Sequence, residues 1–101
     1  MSTGIGLGIA IPHARVEKVD KVYMAAARSV KGVDFTAIDG QPVHLIFMIV
    51  SPVHASSDHM QVLSSLSRIM AYEDIRKKLR TAKKQEQFLE LLLQGENKYV
   101  E

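Results

Sequence analysis

The residue best placed to do chemistry in this sequence is His13, which follows a glycine-rich stretch, a short apolar run and a proline. Pro12 has no N–H to give to a ladder, so the strand at residues 9–11 is predicted to end there or to lie on an edge. His13 then lies at a strand end that faces a cleft. An imidazole near its ordinary pKa of ~6.5 keeps one ring nitrogen free at neutral pH, which suits a nucleophile. The alternative is a histidine that only closes a strand.

A second histidine, His59, lies in the first turn of a predicted helix whose N-cap is Ser56 or Ser57. Free N–H groups and the dipole at a helix N-terminus favour an anion and disfavour a protonated imidazole. A neutral His59 can therefore donate one ring N–H to an anionic group. The alternative is a partly exposed histidine in a helical turn.

Hydroxyls, backbone amides and one cation near His13 complete a set of candidate phosphate ligands. They are Ser2, Thr3, Gly4, Gly6, Gly8 and Arg15. The alternatives are a tight loop before a strand and a solvated arginine. A metal site built from His13, His54 and His59 is disfavoured, because Asp58 is the only acidic residue that groups with them, and we predict none. His44 lies inside an apolar strand and is left out of the site.

The residues from Ser2 to His13 (STGIGLGIAIPH) resemble the active-site signature of a known family, the enzyme IIA domains of the bacterial phosphoenolpyruvate-dependent phosphotransferase system, of fructose/mannitol and nitrogen-regulatory class. Residues 35–43, 45–47 and 59–63 resemble the family's next blocks in order and spacing. The resemblance covers nearly the whole chain. It implies that His13 is the phosphorylated residue and that His59 is the second active-site histidine, which stabilises the phosphate.

The resemblance also implies partners. His13 would accept a phosphoryl group from the histidine-containing phosphocarrier protein and pass it to a IIB domain for sugar uptake. The alternative is a nitrogen-regulatory protein whose phosphorylation state gates a partner protein, since both branches share these motifs. Such transfer depends on positioning and charge stabilisation, and no cofactor is expected. Leu7, Ile9 and Ile11 are predicted to form part of the docking rim. A weaker hypothesis is a ligand- or metal-binding dimer that reuses the fold.

Composition narrows the class of protein. A length of 101 residues predicts one domain, and 47% hydrophobic residues suffice for a core. A net charge of +2 is too small to indicate nucleic acid, and the basic run at residues 76–84 is predicted to be a solvated face. The absence of cysteine excludes disulfides and fits a reducing compartment. Without an apolar span or signal peptide, we expect a cytoplasmic protein, peripheral at most to a membrane.

Strands are predicted early in the chain and helices late. Residues 22–30 (VYMAAARSV) are predicted as a strand, with a helix as the alternative because of the three alanines. Residues 43–50 (VHLIFMIV) are the clearest strand and are placed centrally in the sheet. Helices follow to about Ala71, over residues 72–80, and from a cap at Thr81 to Gly95, with a frayed tail. The apolar residues predicted to face the core are Val62, Leu63, Leu66, Ile69, Met70, Ile75, Leu79, Phe88, Leu89, Leu92 and Leu93.

This order of elements predicts a layered α/β or α+β domain. The resemblance implies an α/β fold with a mixed β-sheet flanked by helices, phosphotransferase/anion-transport-protein-like, in which residues 1–101 are a single enzyme IIA type-2 domain or about its C-terminal two thirds. Family members carry a largely helical part, with an active-site arginine, ahead of the motif. We therefore expect one under-covered sheet face, and either a homo-oligomer or a missing N-terminal segment beside it.

Overall fold

The computed structural model describes residues 4–100, which contain strands in their first half and helices in their second. The strands are β1 (Gly4–Gly6), β2 (Ile9–Ala10), β3 (His13–Val16), β4 (Tyr23–Val33) and β5 (Val43–Pro52), and the helices are α1 (Ser56–Met70), α2 (Glu73–Thr81) and α3 (Gln85–Tyr99). Two compact units divide the chain: the first ends at His59 and the second begins at Met60.

Strand β5 is the centre of a mixed sheet in the first unit. It pairs in parallel with β2 and β3 along one edge and antiparallel with β4 along the other. Its side chains Val43, Leu45, Phe47 and Ile49 are fully buried on one face. The predicted central position of this strand and the mixed sheet are confirmed. Strand β4 is also confirmed over its helical alternative, and it extends to Val33.

Strands β2 and β3 form one line beside β5, interrupted at Pro12. Ile9 faces Leu45 and His13 faces Ile49, so the register does not shift across the interruption. Pro12 cannot donate, but its carbonyl accepts the N–H of Ile49 at 2.9 Å. Strand β2 ends before Pro12, as predicted. The expectation that pairing stops at His13 is wrong, because one missing donor leaves the neighbouring ladder bonds in place and His13 pairs with Ile49. His13 is the first residue of a further strand.

The glycine-rich stretch folds as a hairpin between β1 and β2. Its two-residue turn is Leu7–Gly8, with φ of 60° and 75°. Positive φ at both central positions is the geometry of a type I′ turn, which glycine adopts readily and leucine only at a cost of about 1–2 kcal/mol. The Leu7 N–H donates to the Asp39 carboxylate at 3.0 Å, which holds the turn.

One face of the sheet stays exposed among the described residues. Along β5, Ile46 and Val50 are only half-buried, and Met48 is 50% exposed. Their partners on β4 include Ala25, which is exposed, and Tyr23, which is 48% exposed. The apolar side chains of β5 therefore have a fully buried face and a poorly covered one, as the sequence analysis expected.

We expect this exposed face to drive self-association of the purified chain. Apolar area left in water costs about 25 cal/mol per Å², and the total stability of a domain is typically only ~5–15 kcal/mol. In a pure sample the available partner is a second copy. Sedimentation at micromolar concentration should give a dimer or larger species, and Met48→Lys should shift it towards monomer. A monomer with no dye-accessible apolar surface would contradict this expectation.

In the second unit, the predicted helices are confirmed but the ends of α3 differ. Thr81 is the last residue of α2, and Lys84 precedes α3. Gly95 lies inside α3 rather than after it. A Cβ atom there would lie 2.9 Å from Cγ2 of Ile69, so close packing requires this glycine. The helix continues because Tyr99 is held in place: the predicted frayed tail is wrong.

Tyr99 is held by two contacts with the start of α2. Its ring stacks on Tyr72 with centroids 3.6 Å apart, and its hydroxyl donates to the Asp74 carboxylate at 3.1 Å. Stacked rings and a charge-assisted hydrogen bond together offset the entropy of ordering a helix end.

Two side-chain predictions in this unit also need correction. Leu89 and Leu93 of α3 are exposed, whereas Leu92 is buried. Arg76 is buried rather than solvated, because it donates to the Met70 carbonyl at 2.6 Å and to Glu73 at 2.7 Å, which closes the C-terminal end of α1. Within residues 4–100, no helix has both the length and the apolar content that crossing a membrane requires.

Candidate functional site

His13 is exposed on β3, and its ring is fixed by a hydrogen bond to its own chain. Nδ1 lies 3.0 Å from the carbonyl oxygen of Ile11. A carbonyl oxygen can only accept, so Nδ1 carries the proton and donates it. A neutral imidazole has one N–H, so the free electron pair is on Nε2. The backbone therefore leaves Nε2 as the ring nitrogen of His13 that could act as a nucleophile.

His59 is brought next to His13 by the path of β5 and α1. Because β3 lies beside the C-terminal end of β5, the helix that follows β5 begins close to His13. The centroids of the two imidazole rings are 5.5 Å apart, and the ring planes are inclined by 58°. His59 is 4% exposed, and its backbone N–H donates to the Ala55 carbonyl inside the first turn of α1. The site thus pairs an exposed histidine with a buried one.

Ser51 is a site residue that was not predicted from the sequence. Its side chain is fully buried near the end of β5, and its Oγ lies 2.5 Å from Nδ1 of His59. The sequence feature that could have indicated Ser51 is a polar residue directly after the apolar run at residues 45–50. A buried hydroxyl needs a hydrogen-bond partner, and such a residue on the strand before His59 is a candidate to contact it.

The protonation of His59 is biased towards the neutral form. Burial lowers its pKa below the ordinary 6.5, and the positive charges of Arg15 and of protonated His13 lower it further. A buried imidazolium would lose hydration and face like charge. His59 is therefore a neutral hydrogen-bonding group at neutral pH.

We expect NMR to show that the pKa of His59 is lower in the folded chain than in the same chain unfolded by denaturant. Because the folded-state pKa of His59 lies below its unfolded value, the unfolded chain binds more protons in that range. The contribution of His59 to stability is then complete above pH ~6.5 and is lost as the pH falls towards the folded-state pKa. A titration midpoint for His59 in the folded chain at or above its midpoint in the unfolded chain would contradict this assignment.

Arg15 reaches the site from the same side of β3 as His13. One guanidinium nitrogen donates to the Val53 carbonyl at 2.7 Å and to the Ser56 hydroxyl at 2.9 Å. Arg15 thus fastens the segment that joins β5 to α1, on which the position of His59 depends. Its charge also contributes to the lowered pKa of His59.

The glycine turn is not brought to His13. Gly8 precedes His13 on the line of β2 and β3, at a distance of roughly 16 Å from the usual rise of a strand. The Leu7 amide is also taken by Asp39, whose carboxylate would repel an anion. Gly4 pairs with Ala10 across the hairpin, and Gly6 pairs with Ile9, which lies closer to the turn than Ala10 does. Ser2 and Thr3 lie outside the described residues.

The predicted apolar docking rim is wrong for two of its three residues. Ile9, on β2 between β1 and β5, is buried, and so is Ile11, which directly follows that strand. Leu7 alone of the three is exposed, at 57%, at the tip of the hairpin. The surface around His13 must therefore be formed by other residues.

The remaining histidines occupy other surroundings. His44, on β5, is half-buried, and its Nδ1 lies 2.9 Å from the Ser29 carbonyl. His54 is exposed in the loop after β5. Among the described residues, no three His, Cys, Asp or Glu side chains are grouped closely enough to hold a metal ion.

The family of the chain is shown by a family model that matches nearly all of its residues. The family model described as "Phosphoenolpyruvate-dependent sugar phosphotransferase system, EIIA 2" matches residues 1–95, which include both histidines and the sheet that carries them. The chain belongs to this EIIA family. The resemblance seen in the sequence is thus confirmed.

Relatives of the chain carry the names of both branches. The fructose-specific EIIA component of Haloferax volcanii is 45% identical over 91 residues, covering 90% of this chain and 59% of that protein. A crystal structure of nitrogen regulatory protein IIA-Ntr from Neisseria meningitidis superposes with a TM-score of 0.86 at 40% identity, covering 90% of this chain and 62% of that one.

A third similar structure contains a partner. It is the complex of enzyme IIA mannitol with phosphorylated enzyme IIB mannitol from Escherichia coli, with a TM-score of 0.75 at 26% identity, covering 92% of this chain and 65% of that one. The α/β fold with a mixed sheet is that of IIA-Ntr and IIA mannitol. The chain spans less than two thirds of the length of these relatives.

Proposed function

We propose that this EIIA-family chain carries a phosphoryl group on Nε2 of His13, between the histidine phosphocarrier protein and a IIB domain. The observation that carries the proposal is the bond from His13 Nδ1–H to the Ile11 carbonyl, which leaves Nε2 free and exposed beside His59. An exposed ring is needed, because donor and acceptor are both proteins that must approach it.

The two half-reactions need no cofactor. In the first, the electron pair of Nε2 forms a P–N bond while the P–N bond of the donor phosphohistidine breaks, and its electrons return to the donor ring. In the second, a cysteine thiolate of the IIB domain forms a P–S bond while the bond to Nε2 breaks. Catalysis then rests on in-line positioning and on stabilising charge on the phosphoryl oxygens.

His59 and Arg15 supply that stabilisation in the proposal. A neutral His59 donates a ring N–H to a phosphoryl oxygen, and Arg15 adds positive charge close to the same ring. Such fixed donors act where charge develops and need no reorganisation during transfer. Ser2, Thr3 and Gly4 remain proposed ligands, whereas the distance of the hairpin turn makes Gly6 and Gly8 poor candidates for direct contact.

The IIB partner is supported by the IIA mannitol complex, in which a protein of the same fold is bound to phosphorylated IIB. A regulatory role, with phosphorylation gating a partner protein, is the second candidate, favoured by the closer superposition on IIA-Ntr than on IIA mannitol. Both candidates use the same phosphohistidine and a cytoplasmic location, where the phosphoryl donors are found.

A pulse–chase experiment separates the two candidates. The chain is phosphorylated with labelled phosphoenolpyruvate, enzyme I and the phosphocarrier protein, purified, and mixed with a fructose-type IIB domain. Movement of the label to a IIB cysteine supports the sugar branch. Label that forms but stays on the chain supports the regulatory branch, and a folded chain that never takes up label contradicts both.

A further inference from the structure

The buried pair formed by Ser51 and His59 has a direction that the described contacts determine. Ser51 Oγ lies 2.5 Å from Nδ1 of His59, and within residues 4–100 this nitrogen is the only hydrogen-bond partner of that hydroxyl. A hydroxyl that is fully buried needs an acceptor for its proton. Nδ1 of neutral His59 can be that acceptor only if it carries no proton itself.

The proton of the neutral ring must then be on Nε2. Nε2 has no hydrogen-bond partner in the part of the chain that the structure describes. No described side-chain nitrogen or oxygen is both buried and unpaired, so Nε2 lies at the accessible side of an otherwise buried ring. His13 is the neighbouring ring, 5.5 Å away. The arrangement thus presents an N–H next to the nucleophile.

We propose that Ser51 is a positioning residue that donates its hydroxyl proton to Nδ1 of His59 and so holds His59 as the Nε2–H tautomer, ready to donate to a phosphoryl group on His13. The role in transfer rests on the proposed function, whereas the tautomer does not. In the opposite arrangement, with Nδ1–H donating to Ser51, Nε2 would turn an electron pair towards the negatively charged phosphoryl oxygens and repel them.

Two other features keep the His59 ring neutral and fixed in place. Burial and the charge of Arg15 lower the pKa of His59. The ring is therefore neutral and carries a single N–H proton. Ser51 is also paired with Arg15 across β3 and β5, so the serine, the arginine and His59 are fixed by one stretch of ladder and one helical turn. A rigid donor holds a tautomer better than a mobile one, because less entropy is lost on forming the bond.

The tautomer can be read directly by NMR on the unphosphorylated chain with ¹⁵N-labelled histidine. We expect Nδ1 of His59 to resonate as an unprotonated, hydrogen-bonded nitrogen and Nε2 as a protonated one. In Ser51→Ala the Nδ1 resonance should move towards that of a free acceptor, whereas Ser51→Thr, which keeps the hydroxyl, should retain the original value. Ser64→Ala, an exposed serine on α1, is the matched control and should change nothing.

Transfer from phosphorylated His13 to a IIB domain is the second readout. Ser51→Ala should transfer about tenfold more slowly, the size expected for one hydrogen bond, and Ser51→Thr should recover most of the rate. A protonated Nδ1 in the unmodified chain would overturn the proposal, as would an Nδ1 resonance that is unchanged in folded Ser51→Ala. If Ser51→Ala does not fold, the unmodified chain and Ser51→Thr still decide the tautomer. Failure of His13 to take up phosphate would overturn the proposed function and leave the tautomer result standing.

Discussion

Replacing His13 by alanine is expected to abolish phosphoryl uptake from the phosphocarrier protein while leaving the chain folded. The side chain is exposed, and within residues 4–100 it makes one hydrogen bond, to the Ile11 carbonyl. Its loss therefore removes the nucleophile and little else. Uptake is measured as acid-labile label after incubation with phosphoenolpyruvate, enzyme I and the phosphocarrier protein, with circular dichroism to check folding.

His54→Ala is the matched control for this experiment. His54 is also an exposed histidine of the first unit, and the proposal gives it no role. It should be labelled as well as the unmodified chain. Full labelling of folded His13→Ala, or loss of labelling in His54→Ala alone, would contradict the assignment of the nucleophile.

Replacing His59 by alanine is expected to separate acceptance from transfer. His13 keeps its tautomer, because its partner is the Ile11 carbonyl rather than His59, so label should still be taken up. Passage to the IIB domain should slow by about 10²–10³, the usual effect of losing one donor that stabilises charge in a transition state. The transfer rate is followed by rapid quench with purified phosphorylated protein.

A glutamine at position 59 provides the comparison. Its amide can place an N–H near the position of Nε2, so His59→Gln should transfer faster than His59→Ala. Both variants leave Ser51 without its partner, which costs about 1–3 kcal/mol for a buried hydroxyl, and their folding must be checked by thermal melting. Transfer at the unmodified rate in folded His59→Ala would leave His59 without a role.

The elements that were predicted correctly from the sequence are those with a clear pattern of apolar residues along the chain. The apolar run of β5, broken only by His44, identified the central strand. The apolar stripe with Leu66, Ile69 and Met70 identified α1. The two histidines were found because a long ordered motif surrounds His13 and a helix start precedes His59. Neither the charge nor the composition would have singled them out.

The parts that sequence missed depend on contacts between distant residues. Pairing resumes after Pro12 because β5 supplies a continuous neighbour, and Gly95 stays helical because Ile69 packs against it. Ser51 entered the site only when the strand and the helix placed it against His59. Each outcome depends on a tertiary contact between residues that are distant in sequence. The spacing of residues along the chain does not specify such contacts.

The phosphorylation site is tested most directly by identifying the atom that carries phosphorus. The chain is labelled with ¹⁵N-histidine, phosphorylated through the phosphocarrier protein, and examined for coupling between ³¹P and each ring nitrogen. We predict one phosphoryl group, bonded to Nε2 of His13, with Nδ1 still protonated and donating to the Ile11 carbonyl. Phosphorus on Nδ1 of His13, or on His44, His54 or His59, would contradict it.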